Sequence, residues 1–365
     1  MANETVKKKK GFRHLGILLS IILIACLLLT GCTEQQVEDA IDIGVDILIE
    51  ILTPEDETTS ETDNTTPSIS EPIIVDGTME VHFIDVGQAD ATLIIQGDEV
   101  MLFDAATKGR GDELVEYIKN LGIDYIDVVI LSHPHDDHMG GAGKLLNNIE
   151  VGKIYGPDIF ELMDSLGDDT PGWYEDMIDA VDAIDEKLNK GIPENQQTSV
   201  WNFPRNSNGE FAKFKIGEAI VEFFAPLEDE YSDKNDYSIC AKVTFGTIDI
   251  MFTGDATSAV EADLINKGYN LDVEIFQAGH HGSDTSNSKE FLEAMSPECI
   301  VISCGMKNKY NHPVESVIEL YKKMDLPVYR TDESGNIVMT TDGATYSFNV
   351  EPGTYTSGAD YRKGN

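Results

Sequence analysis

Three histidines and two aspartates fall within six residues, His133-Pro134-His135-Asp136-Asp137-His138, directly after the apolar run Asp127 to Leu131. Such a cluster is poor core material, because burying imidazoles and carboxylates without partners costs several kcal/mol. A bound cation removes that cost. With the chain leaving a strand end, His133 and His135 can point one way while Asp137 and His138 wrap the other side, which predicts two neighbouring cation sites.

The surrounding sequence supplies a frame for such a site. From Thr78 onward, short apolar runs alternate with amphipathic segments. MEVHFIDV, DATLII, VMLFDA and DVVILS read as strands, with a helix over Asp112 to Asn120. Further strands are predicted at AIVEFFAP, ICAKVTFG, TIDIMFTG, VEIFQAG, CIVISCG and NIVMTT, and helices near Glu261, Phe291 and Val317. The mixture of hairpins and strand-helix units predicts an α/β domain over residues 78–350, with two sheets and helices outside them, followed by a tail at 351–365. Pro157 to Gly209 reads as an insertion whose helix carries Trp173, Met177, Val181, Ile184 and Leu188 on one face; it either borders a substrate groove or elaborates the packing.

The N-terminus reads as a targeting segment rather than as part of the fold. Lys7 to Lys10 and Arg13 form a positive end, an uncharged run from Leu15 to Thr30 follows, and it closes in Leu29-Thr30-Gly31-Cys32. Small residues before that cysteine resemble a bacterial lipobox, so residues 1–32 are expected to be a lipoprotein signal peptide ending at a lipidated Cys32. The domain is then expected outside the cytoplasm, held to the membrane through the N-terminal lipid only. Val37 to Leu52 has apolar residues at helical spacing, and Thr53 to Pro72 lacks Lys and Arg and is rich in Thr, Ser, Pro and acid. Residues 33–77 are therefore expected to form a short helix and a solvated linker; stretched at about 3.3 Å per residue, the acidic stretch reaches on the order of 60 Å.

Composition narrows the partners. The 365 residues carry a formal charge of -40, and removing residues 1–32 leaves 21 Lys+Arg against 65 Asp+Glu, a net of -44. A uniform negative field repels phosphate backbones, so no broad nucleic-acid-binding surface is expected, and an anionic substrate needs local cations. After Cys32 only Cys240, Cys299 and Cys304 remain. That is no disulfide framework, and these residues are expected in the core.

The H-x-H-x-D-H pattern after an apolar strand is similar to the signature of the metallo-β-lactamase superfamily. Thr253-Gly254-Asp255 resembles the position where an aspartate bridges both metals, Ala278 to Ser283 brings in His280 and His281, and Asp104 resembles the buried aspartate that orients the centre. Phe83 to Asp90, Asn235 to Ser238, His280 to Ser283 and Asn308 to Pro313 resemble the ComEC-type branch, in which the fold forms an exported hydrolase domain of the DNA-uptake channel and also occurs free-standing. The resemblance runs from about Met79 to Thr340. Ala89 and Asn311 stand where that branch usually has glycine, and the chain has no histidine between His138 and His280 to serve as the usual third histidine of the first metal.

The resemblance implies an αββα sandwich of two mixed sheets with outer helices, two divalent metal ions, zinc or manganese, and hydrolysis by a hydroxide that the cations activate. Its metal ligands would be His133, His135, Asp137, His138, Asp255 and the His280-His281 pair, spacing leaving open which of the two histidines binds. The first cation would complete its shell with Asp255, water or substrate, or with Asn235 or Asp236. Asp104, Asp85, Asn235 and Ser283 would support the centre. Asp137 would steer the hydroxide and accept its proton, and His312 would bind phosphate or protonate the leaving oxygen, unless it merely caps the helix after Pro313. Ser283 and Ser286 lie in a turn that offers donors to a phosphate. The expected substrate is a phosphodiester: a small molecule, an envelope polymer or DNA. A metallohydrolase of acyl substrates such as a lactam or ester, and a non-catalytic surface component of DNA uptake, are the competing readings.

Overall fold

In the computed structural model, residues 75–363 are described; the lipobox with Cys32, the amphipathic Val37 to Leu52 and the acidic linker lie outside them. Two sheets stack face to face. The first has eight strands in the order Tyr346–Phe348, Ile337–Thr341, Met79–Phe83, Thr92–Gln96, Glu99–Phe103, Tyr125–Ile130, Glu150–Tyr155 and Trp201–Asn202. Its half from Glu99 to Asn202 is parallel and the remainder antiparallel. The second has seven, in the order Val328–Arg330, Cys299–Ile302, Ile275–Gln277, Ile248–Phe252, Ala241–Phe245, Ala219–Phe223 and Lys213–Ile216. Here the first four strands are parallel and the rest form antiparallel hairpins.

Strands with both faces buried explain the near-continuous apolar runs in the sequence. Phe83, Met101 and Ile130 of one sheet meet Phe223, Val243, Ile250 and Val301 of the other, and Phe103 stacks on Phe252 with ring centroids 5.1 Å apart. Alternate residues of the same strands, such as Leu93, Leu102 and Val129, turn outward to Leu114 and Ile118 of the helix Gly111–Asn120 and to Leu145 and Met177. On the far side, Met251, Phe276 and Ile300 pack on Leu264, Phe291 and Ile318. The result is four layers, helix, sheet, sheet, helix. Truncating a fully buried ring such as Phe252 to alanine is expected to cost about 3–5 kcal/mol.

Local signals set the outer helices. Ser258–Lys267 starts where the Thr257 hydroxyl accepts from Ala259 N–H and stops at Gly268 in the left-handed region, φ 73°. The insertion is chiefly a packing element: Trp173, Tyr174, Met177 and Val181 of Gly172–Leu188 join the outer core, and Trp201–Asn202 adds a short strand to the first sheet. Leu188, expected on the buried face, is 50% exposed, since it closes the last turn beyond the reach of the sheet. Phe203 to Ser207 and Gly209, at the end of the insertion, line a cleft of about 460 Å³ shared with Tyr237. Residues 351–363, expected as a tail, are tied to the domain by the buried Arg330, whose guanidinium donates to the carbonyls of Thr354 and Thr356. Cys240, Cys299 and Cys304 are free and buried. Among the described residues no helix is long and apolar enough to cross a membrane.

Candidate metal centre

Parallel strands release their chains on one edge, so side chains far apart in sequence converge just beyond the strand ends. Asp104 follows Glu99–Phe103, His133 follows Tyr125–Ile130, Asp255 follows Ile248–Phe252, and His280 and His281 follow Ile275–Gln277. The two sheets touch here. Ile239 N–H donates to Ser132 O at 3.0 Å, and a Cβ on Gly254 (φ 51°) would meet the Ser132 side chain at 2.9 Å, so only glycine allows the approach.

The ligand-type atoms converge on the Asp255 carboxylate, which is 1% exposed. Its Oδ1 lies 3.1 Å from His138 Nε2 and 3.9 Å from His281 Nε2, and its Oδ2 lies 3.3 Å from His280 Nε2 and 3.6 Å from His133 Nε2. His133 Nε2 is 3.0 Å from His135 Nδ1, and Asp137 Oδ2 is 3.4 Å from His281 Nε2. Every metal-ligating candidate from the sequence is thus brought into one cluster.

The second nitrogen of most of these rings is held. His138 Nδ1 meets Asp104 Oδ2 at 2.6 Å, and the other oxygen of that fully buried carboxylate accepts from Ser132 N–H at 2.7 Å. His281 Nδ1 donates to Ser303 O at 3.0 Å beside Asp90 Oδ1 at 3.2 Å; His280 Nδ1 meets Thr285 Oγ1 at 2.8 Å; His133 Nδ1 meets Ser132 Oγ at 3.0 Å. A ring fixed at one nitrogen presents the other in a set direction, as metal-binding histidines do.

Three of the converging atoms test whether a cation fits. His138 Nε2, His281 Nε2 and Asp255 Oδ1 are buried, close together, and aligned for no hydrogen bond. Atoms that face a common point rather than each other have this geometry, and burying them unsatisfied is costly. Protonation points the same way. Burial pushes His133, His135 and His280 down, leaving neutral imidazoles with lone pairs. Burial also opposes charge on His138 and His281, but Asp255 and Asp104 for the former, and Asp90 and Asp255 for the latter, outweigh it and raise both. Burial likewise opposes ionisation of Asp255 and Asp137, yet the neighbouring His138 and His281 hold both carboxyls below their usual range. A cation bound there would take the place of those two protons and satisfy the same carboxylates. The residues present fit a pair of divalent ions.

The supporting set differs from the expected one. Asp85 is exposed, and its carboxylate accepts from Gly87 N–H at 3.1 Å, closing a turn. The buried carboxylate that this segment contributes is Asp90, missed in the sequence although it lies in the same run, because turn-forming and buried aspartates look alike there; Gln277 Nε2 donates to its Oδ2 at 3.0 Å. Asp236 is committed elsewhere: its Oδ1 accepts from the Thr257 hydroxyl at 2.7 Å. Asn235 is buried with Oδ1 unpartnered. Ser283 Oγ accepts from the Thr285 hydroxyl at 3.0 Å and so backs His280, while Ser286 donates to Ala256 O at 2.7 Å. The Ser286 hydroxyl proton is thereby spent, whereas Ser283 is engaged only as an acceptor. His312 does not cap a helix: Glu315–Lys323 begins after Val314 with no side-chain cap. Its ring lies 5.5 Å from that of His280 and 6.3 Å from that of His281, and Tyr310 stacks on it at 5.6 Å. Burial, with His281 and His280 nearby, pulls its pKa down to about 4.

Comparison with known proteins agrees with this geometry. The family model described as the metallo-beta-lactamase superfamily matches residues 84–305. ComE operon protein 3 of Bacillus subtilis is 25% identical over 291 residues, covering 75% of this chain and 34% of its own length. Competence protein ComA of Neisseria gonorrhoeae is 30% identical over 255 residues, covering 69% of this chain and 30% of its own. The chain therefore spans about a third of the length of these relatives. Among solved structures, the metallo-beta-lactamase fold protein YhfI from Bacillus subtilis is similar over 73% of this chain and 100% of its own, at 14% identity and a TM-score of 0.45. With the H-x-H-x-D-H segment, the Asp255 strand end and the His280-His281 pair all inside the matched residues, the chain belongs to the metallo-beta-lactamase superfamily, and its curated relatives include competence proteins of the ComEC type.

Proposed function

We propose that this chain is a phosphodiester hydrolase acting outside the cytoplasm, anchored through a lipid on Cys32, with two divalent cations, zinc or manganese, held by His133, His135, Asp137, His138, Asp255 and the His280-His281 pair. The observation that carries the metal part is the convergence of His138 Nε2, His281 Nε2 and Asp255 Oδ1 without hydrogen bonds. Bound there, two divalent cations supply a nucleophile from water and neutralise charge developing on the attacked group.

The protein's own groups do the rest. Asp137 is ionised and its side chain is 26% exposed, so its carboxylate can accept a proton at the open side of the cluster. His312 is neutral at pH 7. Gln88 Nε2 lies 3.5 Å from its Nδ1, so the remaining ring nitrogen is the one presented to a phosphoryl oxygen, and the residue binds rather than protonates. A phosphodiester is favoured over an acyl substrate by the cations at the rim. Burial lowers His135 against the opposing pull of Asp255 and Asp137, and Lys234 lies close enough to add to that lowering; Lys309 reaches over the Tyr310 ring at 4.7 Å with Asp137 among its neighbours. In a chain of charge -40 these supply the local attraction that an anionic group needs.

Hydrolysis of bis-p-nitrophenyl phosphate by the purified protein with manganese or zinc tests the reading. His135→Ala and Asp255→Ala are expected to abolish it. Turnover of a lactam or ester with no phosphodiester activity would select the acyl reading instead. The kinship with competence proteins favours one further reading, a non-catalytic surface component of DNA uptake, which a metal-replete but inactive protein with a transformation defect would select.

A further inference from the structure

We infer that His280 supplies the third nitrogen of the first cation site, in place of the histidine the chain lacks between His138 and His280, so that the adjacent His280 and His281 serve different cations. The inference rests on the two-cation reading above and assigns what spacing left open.

The two oxygens of Asp255 sort the imidazoles. Oδ2 faces His133 Nε2 at 3.6 Å and His280 Nε2 at 3.3 Å, and His133 Nε2 is itself 3.0 Å from His135 Nδ1. Oδ1 faces His138 Nε2 at 3.1 Å and His281 Nε2 at 3.9 Å, and His281 Nε2 is 3.4 Å from Asp137 Oδ2. One carboxylate oxygen thus gathers His133, His135 and His280. The other gathers Asp137, His138 and His281. A three-imidazole set beside a mixed set, with one Asp255 oxygen facing each, would offer each cation four protein ligands.

Neighbouring residues normally cannot do this, because in extended backbone their side chains diverge to opposite faces. Here both histidines lie in the left-handed region, His280 at φ 50° and ψ 45° and His281 at φ 55° and ψ 24°. Two consecutive non-glycine residues in that region store backbone strain, which persists only where the surroundings impose it. The strained turn sets the two rings 6.1 Å apart and 67° between planes, both directed inward. His280 N–H donates to Gly254 O at 3.0 Å, fixing the backbone against the Asp255 turn.

The tautomer is fixed as well. The Thr285 hydroxyl donates to Ser283 Oγ at 3.0 Å, leaving its oxygen to accept from His280 Nδ1–H at 2.8 Å. Nε2 is then the bare nitrogen, and it is the one beside Asp255 Oδ2. Had the ring served only as a solvent-facing contact, neither the relay nor the strained backbone would be needed.

Metal stoichiometry of the full chain tests this, with cobalt(II) as the probe and metal-free stability checking that each variant folds. Wild-type protein is expected to bind two cobalt ions per chain. His280→Gln should keep one ion at wild-type affinity and weaken the other by at least ~10-fold, with an altered visible spectrum for the weakened ion. His281→Gln should weaken the opposite ion. Thr285→Val, which leaves every ligand in place, should weaken the His280 ion alone by about 10-fold. Two ions bound by His280→Gln with unchanged affinity and spectrum would overturn the assignment while leaving the two-cation reading intact. Fewer than two ions bound by wild type would overturn both.

Discussion

Two buried charge clusters lie at strand ends of the second sheet, and they are built on opposite plans. At the end of Val328–Arg330, the fully buried Arg330 donates from Nε to Asp332 Oδ1 at 3.0 Å and from Nη2 to Asp332 Oδ2 at 2.8 Å, and reaches Glu333 at 3.4 Å. Cation and anions complete each other, and the surplus donors hold the backbone of Thr354 and Thr356. At the end of Ile248–Phe252, Asp255 gathers four imidazoles whose Nε2 atoms point at a common space, and three of the buried atoms there make no hydrogen bond. A cluster that closes on itself is structural. One that converges on a point between its members is made for a guest.

The sharpest break of that contrast is Arg330→Met, which leaves Asp332 buried and unpaired. A loss of about 3–5 kcal/mol is expected in denaturant unfolding, with cation affinity unchanged; weakened cation binding would mean the clusters are not independent. Asp255→Ala should do the reverse. It should weaken cation binding by at least ~100-fold and abolish the rise in Tm on adding zinc or manganese, a rise worth about 2.7 kcal/mol in the wild type at a hundred times Kd. Calorimetric scans with and without the ion check it, and a retained rise would remove Asp255 from the centre.

The residues that orient the rings should matter less than the ligands. Asp104→Asn and Asp90→Asn are each expected to weaken cation binding by 10- to 100-fold, read by competition with a chelator. If Asp85→Asn did the same, the assignment of the supporting carboxylate to Asp90 would fail. The smallest effect concerns His82, a buried imidazole of the self-contained kind, with Nδ1 on the Tyr117 hydroxyl at 2.9 Å and Nε2 near Glu80 at 3.3 Å. Burial lowers its pKa despite Glu80. Below about 6.5 the unfolded chain then takes up a proton that the folded protein refuses, so this contribution to stability is lost as the pH falls. His82→Gln should flatten that part of the Tm-against-pH curve and leave cation binding as it was.

Much of this frame was legible in the chain itself. The ten anticipated strands sit where the apolar runs are densest, since strands buried on both faces need nearly unbroken apolar sequence. Lys213–Ile216 and Tyr346–Phe348 escaped notice as edge strands in which Ile216 alone is buried, and Glu150–Tyr155 buries only Ile154 and Tyr155. Their pairing comes from neighbours rather than from their own pattern. The ligand types were also legible, because His133 to His138 is a local cluster that a strand end must expose or satisfy.

The sequence alone determined that cations must be answered for near His133, that strands and helices alternate around that point, and that the chain is too acidic to offer a broad basic surface. Which oxygen of Asp255 each imidazole faces, that Asp90 rather than Asp85 backs His281, and that His280 and His281 turn inward together were decided only by the tertiary structure. The reason is physical: a local motif fixes which atoms are available, whereas their directions depend on contacts between residues more than a hundred positions apart, and on a backbone turn that no short-range preference favours.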